Sequence, residues 1–245
     1  MTNILILRAP GTNCDLETAY AFEQAGGKTR RLHINRISEN PELLQEFQIL
    51  CFPGGFSFGD DIAAGKILAC RLQNRLADAM QKFKEADKLI LGIGNGFQVL
   101  LKAGLLLDAA DEKPSATLTW NPSGVFDTRW VRLQVEDSKC VILRGVDSLY
   151  LPVAHAEGQF VARNMQAINR LQVALKYLPE DNPNGSQGNI AGICDGSGRV
   201  FGLMPHPQRY IDPLQHPHWT RIAPKDRPRF GDGFKLFQNA VEYFR

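Results

Sequence analysis

The sequence contains no apolar run of about 18 or more residues, the length that a membrane-spanning helix requires. Its opening segment, Met1 to Arg8, lacks a basic leader and is too short for a signal peptide. We therefore interpret it as a first strand and expect a cytoplasmic protein without a membrane partner. A net charge of +2 is small for 245 residues, and the basic residues are scattered apart from short clusters such as Lys28 to Arg31. No nucleic-acid partner is expected.

Cysteine and histidine are both scarce, with five of each. The cysteines form no CxxC pair and are odd in number, which argues against a disulfide framework and a thiolate zinc site. His216 and His218, with Asp212, could suggest a metal cluster, but the surrounding stretch is rich in proline and this favours a loop. We expect no metal site, and we expect small buried thiols at Cys14, Cys51, Cys70, Cys140 and Cys194.

The first half of the chain alternates short apolar runs with stretches of helical spacing. With 44% hydrophobic and 22% charged residues, 245 residues can bury the core of one large domain over 1–245. Alternation of this kind predicts an α/β fold with a parallel sheet, whose sites form at the carboxyl ends of the strands. We predict strands at Asn3 to Arg8, Lys28 to Ile34, Gln48 to Phe52 and Lys88 to Ile93, and helices at Asp15 to Ala25, Lys66 to Ala86 and Asn95 to Lys102.

The second half has β character with little helix. A hairpin is predicted where Asn189 to Cys194 and Arg199 to Met204 flank the turn Asp195 to Gly198. The chain closes with an amphipathic helix over Gly233 to Phe244. Further β segments are predicted over Ser115 to Glu136, Tyr150 to Arg163 and Gln172 to Leu178. The far side of the sheet is therefore expected to be mixed or antiparallel.

The segment Leu89 to Gln98 is typical of a nucleophile elbow, in which a strand enters a helix through a tight glycine turn. Gly92 and Gly96 occupy the two positions where a side chain would collide across the turn. The central position should carry a thiol or a hydroxyl, but here it carries Gly94. The elbow as written has no nucleophile.

A dinucleotide site also combines a strand, a glycine turn and a helix. Here Phe97 stands where the GxGxxG pattern requires its last glycine, so the spacing argues against that reading. A purely structural turn remains the alternative for these glycines in isolation.

Seven motifs spread along the chain resemble those of one family, the glutaminase subunits of phosphoribosylformylglycinamidine synthase, which are class I (triad-type) glutamine amidotransferases. The motifs are Arg8 to Asp15, Phe52 to Asp60, Gly92 to Gln98, His155 to Phe160, Asn182 to Ser186, Met204 to Pro207 and Asp232 to Phe244. The resemblance implies a single glutamine amidotransferase type 1 domain over residues 1–245. It also implies a three-layer, flavodoxin-like α/β fold, with a mainly parallel central sheet and an antiparallel far side.

Carried over by position, the resemblance places the family's nucleophile at Gly94, its histidine at His206 and its carboxylate at Gln208. Two of these three positions therefore depart from the family pattern. We expect Gln208 to orient His206 through its carbonyl, without the charge that would stabilise an imidazolium. The resemblance also places oxyanion or substrate contacts at Gly55, Asn95 and Gln98.

The family mechanism forms a glutamyl thioester on cysteine and passes the released ammonia to a synthetase partner. The resemblance therefore implies glutamine as substrate and a synthetase subunit as partner. It implies no cofactor in this chain, because ATP and Mg would belong to the partner. Neither Cys14 nor Cys51 follows a strand on an elbow, so we do not expect a substitute nucleophile.

Two hypotheses follow from the departures from the family pattern at Gly94 and Gln208. The chain is either the glutaminase subunit in an inactive form or a binding module that keeps the fold and performs no chemistry. An unrelated hydrolase or a chaperone on a similar sheet would need an acid near the elbow and would not account for the full set of motifs.

Overall fold

The computed structural model describes residues 1–107 and 115–245. The strands are β1 Asn3–Arg8, β2 Lys28–His33, β3 Ile49–Phe52, β4 Leu89–Ile93, β5 Ala116–Thr119, β6 Asp127–Val135, β7 Ser148–His155, β8 Gln159–Ala162, β9 Gln172–Tyr177, β10 Ile190–Cys194 and β11 Val200–Leu203. The α-helices are α1 Asp15–Gln24, α2 Ile34–Glu39, α3 Lys66–Arg75, α4 Ala77–Glu85, α5 Asn95–Lys102, α6 Met165–Arg170 and α7 Phe234–Glu242.

One large mixed sheet organises the described residues. It has nine strands in the order β2-β1-β3-β4-β11-β10-β9-β6-β7, and β5 pairs with β8 in a separate two-stranded sheet. The strands from β2 to β11 in that order are parallel, and those from β11 to β7 are antiparallel. The predicted α/β fold with an antiparallel far side is confirmed, as is the hairpin formed by β10 and β11.

Helices cover both faces of the parallel part, which explains its uninterrupted apolar strands. All the residues of β3 and β4 are buried, as strands covered on two sides should be. In β1, Ile4 and Ile6 pack with residues of α1 and α7, whereas Leu5 and Leu7 pack with residues of α3, α4 and α5. This alternation follows from the period of two along a strand and produces three layers.

The predicted helix over Lys66 to Ala86 is wrong as a single element. It is divided into α3 and α4 at Leu76, whose backbone angles of φ −132° and ψ 12° leave the helical region. The break turns the Leu76 side chain into the core beside α3 and α4. Two short helices, α2 and α6, were not predicted because each is only six residues long and carries little periodicity.

The parallel register brings the ends of two central strands side by side. Gly92 of β4 pairs with Gly202 of β11, and Ile93 pairs with Leu203. The loops that follow these strands, with the loop after β3, therefore meet at one edge of the sheet. Among the helices of the described residues, none has the length and apolar character needed to cross a membrane.

Candidate active site at the elbow

The turn between β4 and α5 has the backbone of a nucleophile elbow. Gly94 has φ 55° and ψ −111°, and its N–H donates to the Leu203 carbonyl at 2.9 Å. A Cβ built on Gly92 would lie 2.6 Å from the Gly96 carbonyl oxygen, and one on Gly96 would lie 1.9 Å from that of Phe52. Glycine is therefore required at both flanking positions, as predicted.

The vacant central position faces a histidine. A Cβ built on Gly94 would lie 3.0 Å from both Cε1 and Nε2 of His206. His206 follows β11 and is held there by its own N–H, which donates to the Pro152 carbonyl at 2.8 Å. The structure thus brings together two positions that lie 112 residues apart in the sequence.

Gln208 contacts the other nitrogen of the imidazole, but through the end of its amide that we did not expect. Gln208 Nε2 lies 2.8 Å from His206 Nδ1. The prediction that the Gln208 carbonyl would accept a hydrogen bond from His206 is therefore wrong. Neither Gln208 Oε1 nor His206 Nε2 has a hydrogen-bond partner among the described residues, although both atoms are buried.

Burial makes His206 a weak base. It lowers the pKa of His206 to about 3, and the positive charge of Arg209 acts in the same direction. The imidazole is consequently neutral near pH 7. A neutral imidazole carries one proton, so its two nitrogens have opposite hydrogen-bonding roles.

Glu17 of α1 is a neighbour of this site that the sequence did not indicate. Its Oε1 accepts hydrogen bonds from Gln208 Nε2 at 3.2 Å and from Arg209 Nε at 2.9 Å. Glu17 lies in the first turn of α1, just after the motif that ends at Asp15. No pattern marks it there, because an acidic residue in a first helical turn is ordinarily explained by the helix dipole.

Cys14 and His206 both lie beside Gly54. A Cβ built on Gly54 would lie 2.7 Å from His206 Cε1 and 3.1 Å from Cys14 Sγ. Burial raises the pKa of the Cys14 thiol to about 12, so it contains little thiolate. Burial also raises the pKa of Cys51, which lies within β3. Both thiols are therefore expected mainly in the protonated form near pH 7, which is a poor nucleophile.

Asn95 and Gln98, at the start of α5, brace the loop after β3. Asn95 Oδ1 accepts from the Ser57 N–H at 3.1 Å, and Asn95 Nδ2 donates to Gln98 Oε1 at 2.9 Å. Gln98 Nε2 donates to the Glu157 carbonyl at 2.7 Å. Gly55 has φ +136°, and a Cβ there would lie 2.7 Å from the Asn13 nitrogen. These contacts hold Gly55, Asn95 and Gln98 around one concave surface.

That surface is a pocket of about 220 Å³ beside the elbow. It is lined by Gly55, Asn95 and Gln98, and also by the end of β7, including His155, and the loop that follows it. Its volume lies below the range of about 300–1,000 Å³ that is typical of sites for drug-sized ligands, so it suits a small molecule. Three aromatic side chains at the pocket are substantially exposed: Phe56 (44%), Trp120 (58%) and Phe126 (48%).

His155 has the reverse hydrogen-bonding arrangement to His206. The Asn121 amide is oriented by donating from Nδ2 to the carbonyls of Val125 and His155, at 3.0 and 2.9 Å. Its Oδ1 therefore faces His155 Nδ1 at 3.1 Å, and this nitrogen must donate. Burial lowers the pKa of His155 to about 4, so its Nε2 is a bare acceptor. That Nε2 has no partner within the described ranges.

Acidic groups flank the same pocket. Asp60 and Glu157 both line it, and burial raises the pKa of Asp60. Lys102 lies behind them, with its Nζ donating to the Ala64 carbonyl at 2.6 Å. Burial lowers the pKa of Lys102, while the charges of Glu157 and Asp60 oppose that effect. The pocket thus offers carboxylates to a ligand that carries an ammonium group.

The segment with His216 and His218 forms short helical turns at Pro213–Gln215 and Trp219–Arg221. His216 packs against Trp130, Tyr150 and Tyr210, with ring centroids 6.0, 5.6 and 5.7 Å away. In the part of the chain that the structure describes, no group of three or more His, Cys, Asp or Glu side chains could hold a metal ion.

The fold and this site define a glutamine amidotransferase domain: residues 1–244 match the family of CobB/CobQ-like glutamine amidotransferase domains. The chain is 47% identical over 251 residues to the phosphoribosylformylglycinamidine synthase subunit PurQ of Dehalococcoides mccartyi, covering 98% of this chain and 97% of that protein. It is 38% identical over 264 residues to the PurQ subunit of Methanococcus maripaludis, with 98% and 97% covered.

A solved structure gives the same result. The chain resembles one chain of PurLQS from Thermotoga maritima with a TM-score of 0.79 and 31% identity, covering 100% of this chain and 99% of that one. The chain therefore belongs to the PurQ family of phosphoribosylformylglycinamidine synthase subunits.

Proposed function

We propose that this chain is the glutamine-binding subunit of a phosphoribosylformylglycinamidine synthase in purine biosynthesis, and that it does not hydrolyse glutamine through a thioester. The relatives that carry the name PurQ support the first part. The thiol-free elbow supports the second, because Gly94 supplies no atom that could attack an amide carbon. In this proposal Gly94 and Gln208 occupy the nucleophile and carboxylate positions, and His206 the position of the base.

The pocket beside the elbow supports glutamine as the ligand. Its small volume fits one amino acid, and Asp60 and Glu157 would attract the α-ammonium group. We propose that the backbone N–H groups of Gly55 and Asn95 bind the side-chain carbonyl, with the second at the N-terminus of α5. Gln98 holds this arrangement through its bonds to Asn95 and Glu157.

A synthetase subunit is the proposed partner. The solved relative is part of a PurLQS assembly, which supports association with a PurL-type subunit. In this proposal ATP and Mg bind to the partner, and this chain needs no cofactor of its own. Such a partner would remove from water the exposed aromatic side chains at the pocket, which are Phe56, Trp120 and Phe126.

The second candidate is a binding module that associates with a synthetase without supplying ammonia. One observation favours it: the hydrogen bonds of Asn95 and Gln98 persist although the thiol is missing. The two candidates differ in whether a repaired chain would work. Restoring activity by substitution at the site supports an inactive glutaminase, and failure to restore it supports the module.

The test combines calorimetric glutamine binding with an ammonia-release assay, each with and without the synthetase subunit. We expect the native chain to bind glutamine, to bind asparagine at least about tenfold more weakly because it is one methylene shorter, and to release no ammonia above background. Gly94→Cys serves as the matched variant. Glutamine-dependent ammonia release by the native chain would contradict the proposed inactivity, and absence of glutamine binding would contradict the proposed ligand.

A further inference from the structure

A chain of hydrogen bonds runs from α1 to the imidazole beside the elbow. Glu17 Oε1 accepts from Arg209 Nε at 2.9 Å and from Gln208 Nε2 at 3.2 Å. The same Gln208 nitrogen lies 2.8 Å from His206 Nδ1. Gln208 and His206 are 1% and 3% exposed, so water does not compete for the contact between them. The Glu17 and Arg209 side chains are each 37% exposed.

Glu17 determines which end of the Gln208 amide faces the imidazole. Because Glu17 Oε1 already accepts from Arg209, the Gln208 atom beside it must be a donor, which is the amide nitrogen. A reversed amide would place Gln208 Oε1 against the Glu17 carboxylate, two acceptors without a shared proton. The two hydrogens of Nε2 are then directed to Glu17 and to His206 Nδ1.

We infer that Glu17 is a positioning residue, which acts through Gln208 to hold His206 as the tautomer with its proton on Nε2. Nδ1 accepts the Gln208 N–H and must be bare, so the single proton of the neutral imidazole resides on the other nitrogen. Nε2 then carries the proton and lies 3.0 Å from where a Cβ on Gly94 would be, and the Ala154 backbone is also near the ring.

This tautomer has a chemical consequence for the elbow. A triad histidine accepts a proton at Nε2 and donates from Nδ1 to a carboxylate. Here both roles are reversed, so Nε2 has no lone pair with which to take a proton from a thiol or a water. His206 is instead suited to donate to an oxygen acceptor, such as a carbonyl, at the elbow.

The test is ¹⁵N NMR of the imidazole nitrogens in the full native chain near neutral pH, in which protonated and bare ring nitrogens have well-separated shifts. We expect a bare Nδ1 and a protonated Nε2 for His206. His155 provides an internal reference in the same spectrum, because its contact with Asn121 sets the opposite tautomer. His155 and His206 are assigned from the spin systems that are lost in His155→Gln and in His206→Gln.

Two substitutions at Glu17 separate its role from simple packing. Glu17→Ala removes the acceptor, frees the Gln208 amide to reverse and should shift the tautomer ratio of His206 about tenfold toward Nδ1–H, the difference that one charge-assisted hydrogen bond makes. Glu17→Gln keeps an acceptor oxygen beside Arg209 and should shift the ratio less. Glu23→Ala, on the same helix, is the matched control and should leave both histidines unchanged.

Gln208→Glu tests the His206 tautomer independently of the Glu17 variants. A carboxylate at this position can only accept, so the His206 proton should move to Nδ1. A native spectrum with His206 protonated at Nδ1 would overturn the inference. So would a Glu17→Ala spectrum in which His206 matches the native chain.

Discussion

Gly94 and His206 are in contact distance for any side chain larger than hydrogen: a Cβ at position 94 would lie 3.0 Å from the imidazole edge. The turn at position 94 and the nearby His206 therefore keep their arrangement although this chain has no thiol there. Gln208 and Glu17, on the far side of the imidazole, then decide how much activity a restored thiol could recover.

Repair of the site should require three positions. Gly94→Cys alone should restore only a trace of glutaminase activity, because an amide in place of a triad carboxylate lowers turnover about 10⁴-fold in a serine protease. Gly94→Cys with Gln208→Glu should restore more. In that double variant, however, the oxygen that replaces Gln208 Nε2 would lie about 3.2 Å from Glu17 Oε1. Adding Glu17→Gln should relieve this repulsion and give the highest ammonia release with the synthetase subunit present.

Gln208→Glu alone is the matched control for this repair and should release no ammonia, since there is no nucleophile for His206 to assist. If the triple variant binds the synthetase subunit and still releases no ammonia from glutamine, the pocket itself has diverged. The binding-module reading would then replace the glutaminase reading.

Glycine at position 94 should stabilise the fold relative to cysteine or alanine. Both replacements must adopt φ 55° and place Cβ 3.0 Å from His206, which we expect to lower the free energy of unfolding by about 1–3 kcal/mol. Urea denaturation measures the difference. Gly145→Ala is the control, because it has φ 70° with open space around its Cβ and reports the penalty of a positive φ without a steric contact. A Gly94→Cys variant more stable than the native chain would contradict this expectation.

Alanine at Gly96 should be far more harmful than alanine at Gly94. Its Cβ would lie 1.9 Å from the Phe52 carbonyl oxygen, and neither backbone can move without separating β3 from α5. We expect a loss of more than about 4 kcal/mol, measured as urea midpoint or as loss of folded protein on expression. Gly196→Ala, whose Cβ meets no atom of the described residues within 4 Å, should be nearly neutral.

Electrophilic glutamine analogues should not label the native chain. A diazoketone needs a thiolate, and burial raises the pKa values of Cys14 and Cys51 well above neutrality. Intact-mass spectrometry should therefore show no adduct on the native chain and one adduct on Gly94→Cys with Gln208→Glu, in which His206 Nε2 can take the thiol proton. A stoichiometric adduct mapped to Cys14 would show that it replaces the missing nucleophile.

Acid should destabilise the fold through its two buried histidines. The folded pKa values are about 3 for His206 and about 4 for His155, below the ordinary value of 6.5. The unfolded chain therefore binds protons that the folded chain does not. Stability falls as pH decreases from 6.5, toward about 4 through His155 and toward about 3 through His206. Each of His155→Gln and His206→Gln should remove up to one proton from the pH dependence of the unfolding free energy.

The parallel strands and the elbow could be predicted because their signals are local. A buried strand such as β4 is a continuous apolar run, and the glycines at positions 92 and 96 are dictated by contacts across one turn. The division between α3 and α4 could not be predicted in the same way. Leu76 is an ordinary helix former, and only the tertiary position of its side chain ends the helix there.

The orientation of the Gln208 amide could not be predicted from the sequence for a different reason. It depends on Glu17, which is 191 residues away along the chain and is brought near by the packing of α1. The tautomer of His155 likewise depends on Asn121, 34 residues earlier. Motifs indicated which residues would meet, but donors and acceptors are assigned only when all the neighbours are in place.

The pairing of β4 with β11, together with the bond from Gly94 N to the Leu203 carbonyl, keeps the elbow near His206 through backbone contacts alone. The position of the elbow beside His206 therefore does not depend on a nucleophilic side chain. Codons for glycine and cysteine can differ by a single base, and so can those for glutamine and glutamate. A lineage with this chain could therefore lose the thiol and the carboxylate, and regain both, by point mutations that leave the scaffold folded at every step.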